Sequence, residues 1–207
     1  MRIALIDYSA GNLHSAAAAL RRVAPEADLC ITSQASDLRD ATHIVLPGVG
    51  AFADCMRGLR AVPDMIEALE QRVHVAGVPF LGICVGMQML FERGLEHGTH
   101  AGLGWLKGEV RRMEASGLKV PHMGWNTLQR TQPSHPLLHG IVDEAHAYFV
   151  HSYHAVCDDE ADCLATTDYG QPLVAIVGRD HIFGTQFHPE KSQGVGHVLL
   201  HNFLGLS

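Results

Sequence analysis

The sequence predicts a single α/β domain built on an open, mainly parallel but mixed sheet with helices on both faces. Its 207 residues suit one large domain, at roughly 150 residues per domain. With 47% hydrophobic and 18% charged residues, the chain has the composition of a packed core and not of a disordered segment. Strand-like and helix-like segments alternate through the first half, as in βαβ units. Because no linker or repeat is visible, we expect one domain over residues 1–207.

Short apolar runs and amphipathic or Ala-rich stretches alternate in the first half of the chain. The predicted elements are a strand over 3–7, a helix over 14–23, strands over 28–32 and 43–46, helices over 52–59 and 64–75, and a strand over 78–83. Pro63 precedes the second of the paired helices, where proline is tolerated.

The second half is richer in strands. The pattern predicts strands over 105–113, 148–153, 164–167, 173–177 and 184–187, and a closing helix over 196–204.

Residues 73–91 form a run of 19 residues without a formal charge, long enough to raise the question of a membrane helix. Gly77, Pro79, Gly82 and Gly86 interrupt it. We therefore predict a buried strand, a tight turn and a helix over 85–92, with Met87, Met89, Leu90 and Phe91 in the core.

Charge and cysteine usage exclude several classes of function. The excess of 22 acidic over 15 basic residues argues against a nucleic-acid-binding surface. The five cysteines include no CxxC pair, which indicates neither a zinc ribbon nor a disulfide framework and favours the cytoplasm. The N-terminal apolar stretch is too short for a signal peptide.

Fifteen histidines invite a metal hypothesis. His135 and His139 are four residues apart, as are His197 and His201, but no HExxH-type carboxylate accompanies either pair. We expect no metal site and no cofactor.

The strongest chemical signal is Gly82-Ile83-Cys84-Val85-Gly86, where a strand becomes a helix. This is the nucleophile-elbow pattern with cysteine as the nucleophile, and the N–H of Val85 is placed to donate to an oxyanion. A helix N-terminus favours the thiolate form of a cysteine. The alternative is a buried structural cysteine between glycines.

His188-Pro189-Glu190 can supply a base and the residue that orients it. If the segment is extended, which Pro189 favours, the two side chains project the same way. The alternative is that His188 is one histidine among many and Glu190 a surface acid.

Pro47-Gly48-Val49-Gly50 follows a strand, and its glycines permit backbone N–H groups to turn inward as an oxyanion hole requires. An ordinary glycine-rich turn is the alternative.

Together these segments resemble the class I, or triad, glutamine amidotransferases. More narrowly, the chain is similar to the glutaminase subunits of imidazole glycerol phosphate synthase. The stretches that carry the narrower resemblance are 6–8 with 11–13 (Ile-Asp-Tyr and Gly-Asn-Leu), 121–126 (Pro-His-Met-Gly-Trp-Asn) and 148–153 (Tyr-Phe-Val-His-Ser-Tyr).

The resemblance implies a role for each matching residue. Cys84 would attack the carboxamide of glutamine, His188 would move the protons, and Glu190 would orient His188. The oxyanion and substrate-binding residues would be Gly48, Val49, Gly50, Val85, Gln88, His151 and Ser152.

The resemblance also implies a partner, a (βα)8-barrel cyclase subunit that receives ammonia and forms imidazole glycerol phosphate and AICAR in histidine biosynthesis. Asn12, Trp125 and Lys191 would face it. Ser9 and Val85 depart from the family pattern, where glycine and leucine are expected. A stand-alone thiol hydrolase and a non-catalytic regulatory subunit remain open as alternatives.

Overall fold

The computed structural model describes residues 1–114 and 117–206. The strands, in chain order, are β1 Arg2–Ile6, β2 Asp28–Thr32, β3 His43–Gly48, β4 Phe80–Cys84, β5 Phe91–Gly94, β6 His100–Ala101, β7 Leu106–Arg112, β8 His122–Thr127, β9 Gln129–Arg130, β10 His146–His151, β11 Tyr153–Cys157, β12 Cys163–Asp168, β13 Pro172–Arg179 and β14 Ile182–Thr185. The helices are α1 Leu13–Val23, α2 Phe52–Ala61, α3 Met65–Glu70, α4 Val85–Gln88 and α5 Gln193–Leu204.

The central sheet has eight strands in the order β2-β1-β3-β4-β14-β13-β12-β9. Its first five strands run parallel, and the last three are antiparallel to their neighbours. All residues of β3 and β4 are buried, as expected for parallel strands covered on both faces. The predicted mixed, mainly parallel sheet is therefore confirmed.

The strand order also explains why helices lie on both faces. The connection from β1 to β2 and the connection from β3 to β4 move outward in opposite directions across the sheet. Because crossovers between parallel strands are right-handed as a rule, this order is the one that puts α1 and the α2–α3 pair on opposite faces. The carboxyl ends of β3 and β4 lie beside this reversal, which is where open α/β sheets bind ligands.

Two smaller sheets complete the fold, and residues at the junction of the two line a cavity with Cys84. One pairs β8 with β10, and the other has the order β11-β7-β5-β6. The sequence did not predict β5, β6, β8, β9 and β11, which are in part polar or interrupted by glycine. Of these, β9 and β11 pair with strands that are distant in the chain. The strand predicted over 184–187 lies two residues earlier, at Ile182–Thr185.

The helix predicted over 85–92 is wrong beyond its first turn. Helix α4 ends at Gln88, and Phe91 begins β5 beside β7. The backbone N–H groups of Trp105 and Leu106 both donate to the carbonyl of Leu90, at 2.8 and 3.0 Å, which ties the chain into the smaller sheet. Met87, Met89, Leu90 and Phe91 are all buried, as predicted. A short apolar run alone does not distinguish a helix from a strand.

Within the described part of the chain, no helix is both long enough and apolar enough to cross a membrane.

Candidate active site

Cys84 lies on the sharp turn between β4 and α4. Its φ of 56° and ψ of −111° fall where non-glycine residues seldom occur, so the backbone is strained at this residue. A Cβ on Gly82 would lie 2.5 Å from the carbonyl oxygen of Gly86, and a Cβ on Gly86 would lie 2.0 Å from the carbonyl oxygen of Leu46. Only glycine permits this close approach of strand and helix, so the structure contains the turn that the sequence predicted.

Glu190 lies on a 3₁₀ turn, Pro189–Lys191, and His188 is the residue immediately before it, so the pair does not lie on the extended segment that the sequence predicted. Nδ1 of His188 donates to Oε1 of Glu190 at 2.8 Å. The expected contact therefore forms, although the backbone conformation differs from the predicted one. The hydroxyl of Ser192 donates to the His188 carbonyl at 2.7 Å and accepts from the Tyr148 N–H at 2.9 Å. These bonds close the turn, and proline is pre-organised for its first position.

The environment of His188 favours its protonated form. Burial lowers the pKa of this imidazole, but the neighbouring Cys84 and Glu190 side chains act more strongly and raise the pKa to about 9. Nε2 of His188 is buried and has no hydrogen-bond partner within residues 1–114 and 117–206. At neutral pH the ring is therefore an imidazolium, with one N–H on Glu190 and the other not engaged by the described chain.

The segment after β3 runs beside the elbow. Gly48 is aligned with Cys84 in the β3–β4 ladder, and a Cβ on Gly48 would lie 2.6 Å from the backbone nitrogen of Gly86. Gly50 has a φ of 100°, a conformation that favours glycine. Val49, between the two glycines, is 42% exposed.

Two side chains hold carbonyl groups of this segment. The Tyr8 hydroxyl donates to the Pro47 carbonyl at 2.7 Å, and the Cys55 thiol donates to the Val49 carbonyl at 3.4 Å. Burial raises the pKa of Cys55 to about 11, which keeps the thiol protonated as a donor. The peptide that joins Gly48 to Val49 thus lies between two held carbonyl groups.

A cavity of about 320 Å³ brings most of the predicted residues together. Its predicted members are Cys84, His188, Val49, Gly50, Val85, Gln88, His151 and Ser152. Its other members are Glu96, Pro121, Val150 and Tyr153. Two predicted residues do not line it, because Gly48 packs against the elbow backbone and Glu190 lies behind His188.

The strand predicted over 148–153 is two strands in different sheets. His151 pairs with His122 at the end of β10, whereas Tyr153 pairs with Arg112 at the start of β11. Ser152 is the point where the chain changes sheets, so the backbone bends there and follows the cavity wall. An apolar–polar alternation does not reveal such a change of partner.

Sequence reasoning missed two polar residues at the site. Glu96 lines the cavity, and its Oε2 accepts from the Phe52 N–H at 2.8 Å, at the first turn of α2. Gln186 is fully buried behind Cys84. Gln186 stands two residues before His188 in a segment already singled out, but no pattern in the sequence points to Glu96.

Two buried histidines support the cavity wall with a directed chain of hydrogen bonds. Nδ1 of His151 donates to the Tyr153 carbonyl at 2.9 Å, so its Nε2 is the acceptor for His122 Nδ1 at 3.1 Å. Nε2 of His122 then accepts from the Asn126 amide at 3.2 Å. Burial lowers the pKa of His151 to about 3 and that of His122 to about 4. Both rings are therefore neutral at physiological pH.

This pair predicts a loss of stability in acid. The unfolded chain takes up protons on both histidines as the pH falls below about 6.5, whereas the folded chain does not until about pH 4 and 3. The free energy of unfolding should therefore fall between about pH 6.5 and 4, by up to about 1.4 kcal/mol per pH unit for each histidine.

Urea unfolding at a series of pH values measures this slope. His122→Gln should reduce it, whereas the same change at His201, which is exposed on α5, should not. An identical slope in the wild type and in His122→Gln would contradict the assignment.

The histidine pairs singled out for metal binding have other surroundings. His197 and His201 lie on α5, and Nδ1 of His135 accepts from the Leu137 N–H as a turn cap. Within the described residues no group of three or more His, Cys, Asp or Glu side chains is placed to hold a metal ion. All five cysteines are free thiols.

Two of the residues expected to face a partner, Trp125 and Lys191, lie against the same tyrosine ring. The Trp125 ring packs edge-on against Tyr148 at 5.9 Å, and Nζ of Lys191 lies 5.6 Å from the centre of the same ring. Trp125 is 47% exposed. Asn12 is the residue immediately before α1, and this helix packs against the turn that carries Lys191. We call Asn12, Trp125, Tyr148 and Lys191 the docking face.

Ser9 takes a glycine-like conformation, with a φ of 66°. Its N–H donates to Oδ1 of Asp7 at 3.0 Å, which supports the turn. The backbone thus shows why glycine is expected there and how serine is accommodated. Val85, the second departure, is buried and lines the cavity.

Comparison with known families identifies the domain. The sequence profile of the family described as glutamine amidotransferase class-I matches residues 4–205. The chain belongs to the class I glutamine amidotransferases. Its elbow cysteine and His–Glu pair therefore lie in an amidotransferase domain, and the resemblance seen in the sequence is confirmed.

Relatives of this amidotransferase match it over nearly their whole length. The imidazole glycerol phosphate synthase subunit HisH of Rhodospirillum rubrum is 51% identical, covering 99% of this chain and 98% of that protein. The protein of the same name from Brucella suis is 53% identical with the same coverage, and that from Zymomonas mobilis is 52% identical over 98% of this chain and 94% of its own.

Solved structures share the fold of the amidotransferase at low sequence identity. A crystal structure of a glutamine amidotransferase superposes with a TM-score of 0.74 at 18% identity, covering 98% of this chain and 99% of that one. The structure of PurLQS from Thermotoga maritima gives 0.73 at 20% identity, covering 99% and 97%. These matches support the α/β fold class.

Proposed function

We propose that this amidotransferase is the glutaminase subunit of an imidazole glycerol phosphate synthase. It hydrolyses L-glutamine to glutamate and ammonia, and it passes the ammonia to a cyclase subunit that forms imidazole glycerol phosphate and AICAR. The observation that carries the proposal is the 51–53% identity, over essentially the whole chain, to subunits of that name. Cys84 and His188 line the same cavity, and these two side chains can carry out the hydrolysis.

The first half-reaction forms a thioester on Cys84. The thiolate attacks the carboxamide carbon of glutamine, a C–S bond forms, and the carbonyl oxygen becomes an oxyanion. The Val85 N–H and an N–H from Gly48–Gly50 are the donors proposed for that oxyanion. His188 then gives its proton to the leaving nitrogen, the C–N bond breaks, and ammonia departs. The raised pKa of His188 keeps this proton available at neutral pH.

The second half-reaction hydrolyses the thioester. Neutral His188 takes a proton from water, the hydroxide adds to the carbonyl carbon, and the C–S bond breaks to return the Cys84 thiolate and glutamate. Glu190 holds Nδ1 of His188 throughout at 2.8 Å, which keeps Nε2 as the atom that exchanges protons.

The cavity wall supplies complementary groups for free glutamine. Glu96 brings a carboxylate that fits the α-ammonium group of the substrate. Gln88 donates both of its N–H groups elsewhere, so its carbonyl oxygen is left as an acceptor for the same cation. His151 and Ser152 contribute backbone at the bend between β10 and β11.

The docking face is the surface that we propose for the (βα)8-barrel cyclase. It contains an exposed tryptophan, a residue type that is enriched at protein interfaces, beside a lysine whose ammonium group lies over an aromatic ring. With the cyclase as partner, one domain over residues 1–207 would work in the cytoplasm without a cofactor.

Reconstitution with a cyclase subunit tests the function. The mixed proteins should form imidazole glycerol phosphate from glutamine, and the cyclase alone should do so only from ammonia. Hydrolysis of glutamine without any product from the mixture would contradict the proposal and favour a stand-alone thiol hydrolase.

A further inference from the structure

A buried chain of two glutamine side chains runs from the cavity wall to the nucleophile. Gln88 and Gln186 are 3% and 0% exposed. Nε2 of Gln88 lies 3.0 Å from both the Tyr153 carbonyl oxygen and Oε1 of Gln186. Nε2 of Gln186 lies 3.8 Å from Sγ of Cys84. The mechanism above assigns Gln186 no part.

The backbone fixes the direction of this chain. A carbonyl oxygen can only accept, so the Tyr153 carbonyl requires the NH₂ end of Gln88. The second N–H of Gln88 then goes to the oxygen of Gln186, which turns the NH₂ end of Gln186 toward the sulfur. Reversing either amide would place two oxygens or two N–H groups against each other.

We propose that Gln186 is a further catalytic residue, which donates a hydrogen bond to the Cys84 sulfur. This inference deepens the proposed function and rests on it. The donor stabilises the thiolate before attack and again when the thiolate leaves the thioester. Hydrogen bonds to charged acceptors are stronger than those between neutral groups, so the effect is greatest when the sulfur is negative.

The same bond gives Gln186 a second effect on the substrate side. By accepting one N–H of Gln88, it keeps the carbonyl oxygen of Gln88 directed to the cavity. Loss of Gln186 should therefore make the Cys84 thiolate less stable and glutamine binding weaker. We expect the change in kcat to be larger than the change in KM.

Other titratable groups also interact electrostatically with Cys84. They are His188 beside the 3₁₀ turn, Tyr8 in the loop after β1, and Cys55 on α2. None of them is altered by a change at Gln186, so they are common to the wild type and the variants in the test.

Alkylation of Cys84 by iodoacetamide tests the contact without using glutamine. Gln186→Met keeps the length of the side chain but removes its donor and its acceptor. We expect the rate constant at pH 7 to fall roughly 10- to 100-fold, with the midpoint of its pH dependence moved upward. Gln129→Met, an exposed change on β9 of the same sheet, should leave the profile unchanged. Peptide mass spectrometry identifies the alkylated thiol.

Glutamine-dependent turnover with the cyclase gives the second readout. Gln186→Met should lower kcat and raise KM for glutamine, and the change in KM should be the smaller of the two. If Gln186→Met does not fold, Gln186→Asn, whose amide is one methylene further from the sulfur, should show the same shift in alkylation. A folded variant with the wild-type alkylation profile would overturn the inference. Failure of the proposed function would instead appear as an inactive wild-type complex, whatever the alkylation rates.

Discussion

Replacing Cys84 by alanine should reduce glutamine-dependent synthesis by the complex about 10⁴-fold or more, while ammonia-dependent synthesis continues at the wild-type rate. The size of the loss follows from the removal of a covalent nucleophile whose partners act only through it. The selectivity follows from the proposed function, in which the cyclase consumes ammonia and added ammonia bypasses the missing nucleophile. Initial rates with glutamine and with an ammonium salt measure the two activities.

The other thiols provide matched controls for this change. Burial raises the pKa of Cys157 to about 12 and also raises that of Cys163, so neither is a ready nucleophile. Cys163→Ala should retain glutamine-dependent synthesis. If Cys84→Ala retained it as well, the thioester mechanism would be wrong.

Binding of the cyclase and its ligand should accelerate glutamine hydrolysis by about 10²- to 10³-fold. Hydrolysis without an occupied synthase would release ammonia uselessly, so the two reactions should be coupled. One missing oxyanion donor costs about 2.7–4 kcal/mol, which corresponds to this range. A single peptide rotation is therefore enough to switch the activity.

The structure offers the peptide between Gly48 and Val49 as the rotating group. The carbonyls on either side are held by Tyr8 and Cys55, so the peptide can rotate while its neighbours stay in place. Gly48 permits the rotation because it carries no Cβ. Cys84 and His188 need not move.

Glutamate release by the purified chain, alone and then with cyclase and ligand, measures the acceleration. Cys84→Ala in the same mixture gives the background. Equal rates with and without the cyclase would contradict the gating, although they would leave the roles of Cys84 and His188 untouched.

The parallel half of the fold was predictable from the sequence because its elements are local. The strands over 3–7 and 28–32 and the helices over 14–23 and 52–59 each carry their own apolar pattern, and the structure has them within two residues. The smaller sheets were not predictable, since β11, for example, pairs with a strand that is distant in the chain. The helix that begins with α4 was predicted too long, because Phe91 begins a strand of another sheet and the Leu90 carbonyl bonds to the chain at the start of β7. The apolar side chains of these two residues do not reveal this.

The same distinction holds at the site. Cys84 was predictable from its flanking glycines, and His188 with Glu190 from their spacing, although the turn between them was mistaken for an extended segment. Glu96 was not predictable, because its role depends on its contact with α2 and on its position in the cavity wall, and neither is visible in the sequence. Gln186 lies in a segment that the sequence analysis already used. The direction of its amide, however, depends on Gln88 and on the Tyr153 carbonyl, which is distant in the chain.

Covalent labelling by a glutamine analogue that carries an electrophile tests the central claim most directly, that Cys84 is the nucleophile of a glutaminase. The reagent should modify Cys84 in preference to the other four thiols, excess glutamine should protect it, and His188→Ala should slow the reaction. Peptide mass spectrometry locates the adduct. Equal labelling of Cys55 or Cys157, or labelling of Cys84 that glutamine does not suppress, would contradict the account.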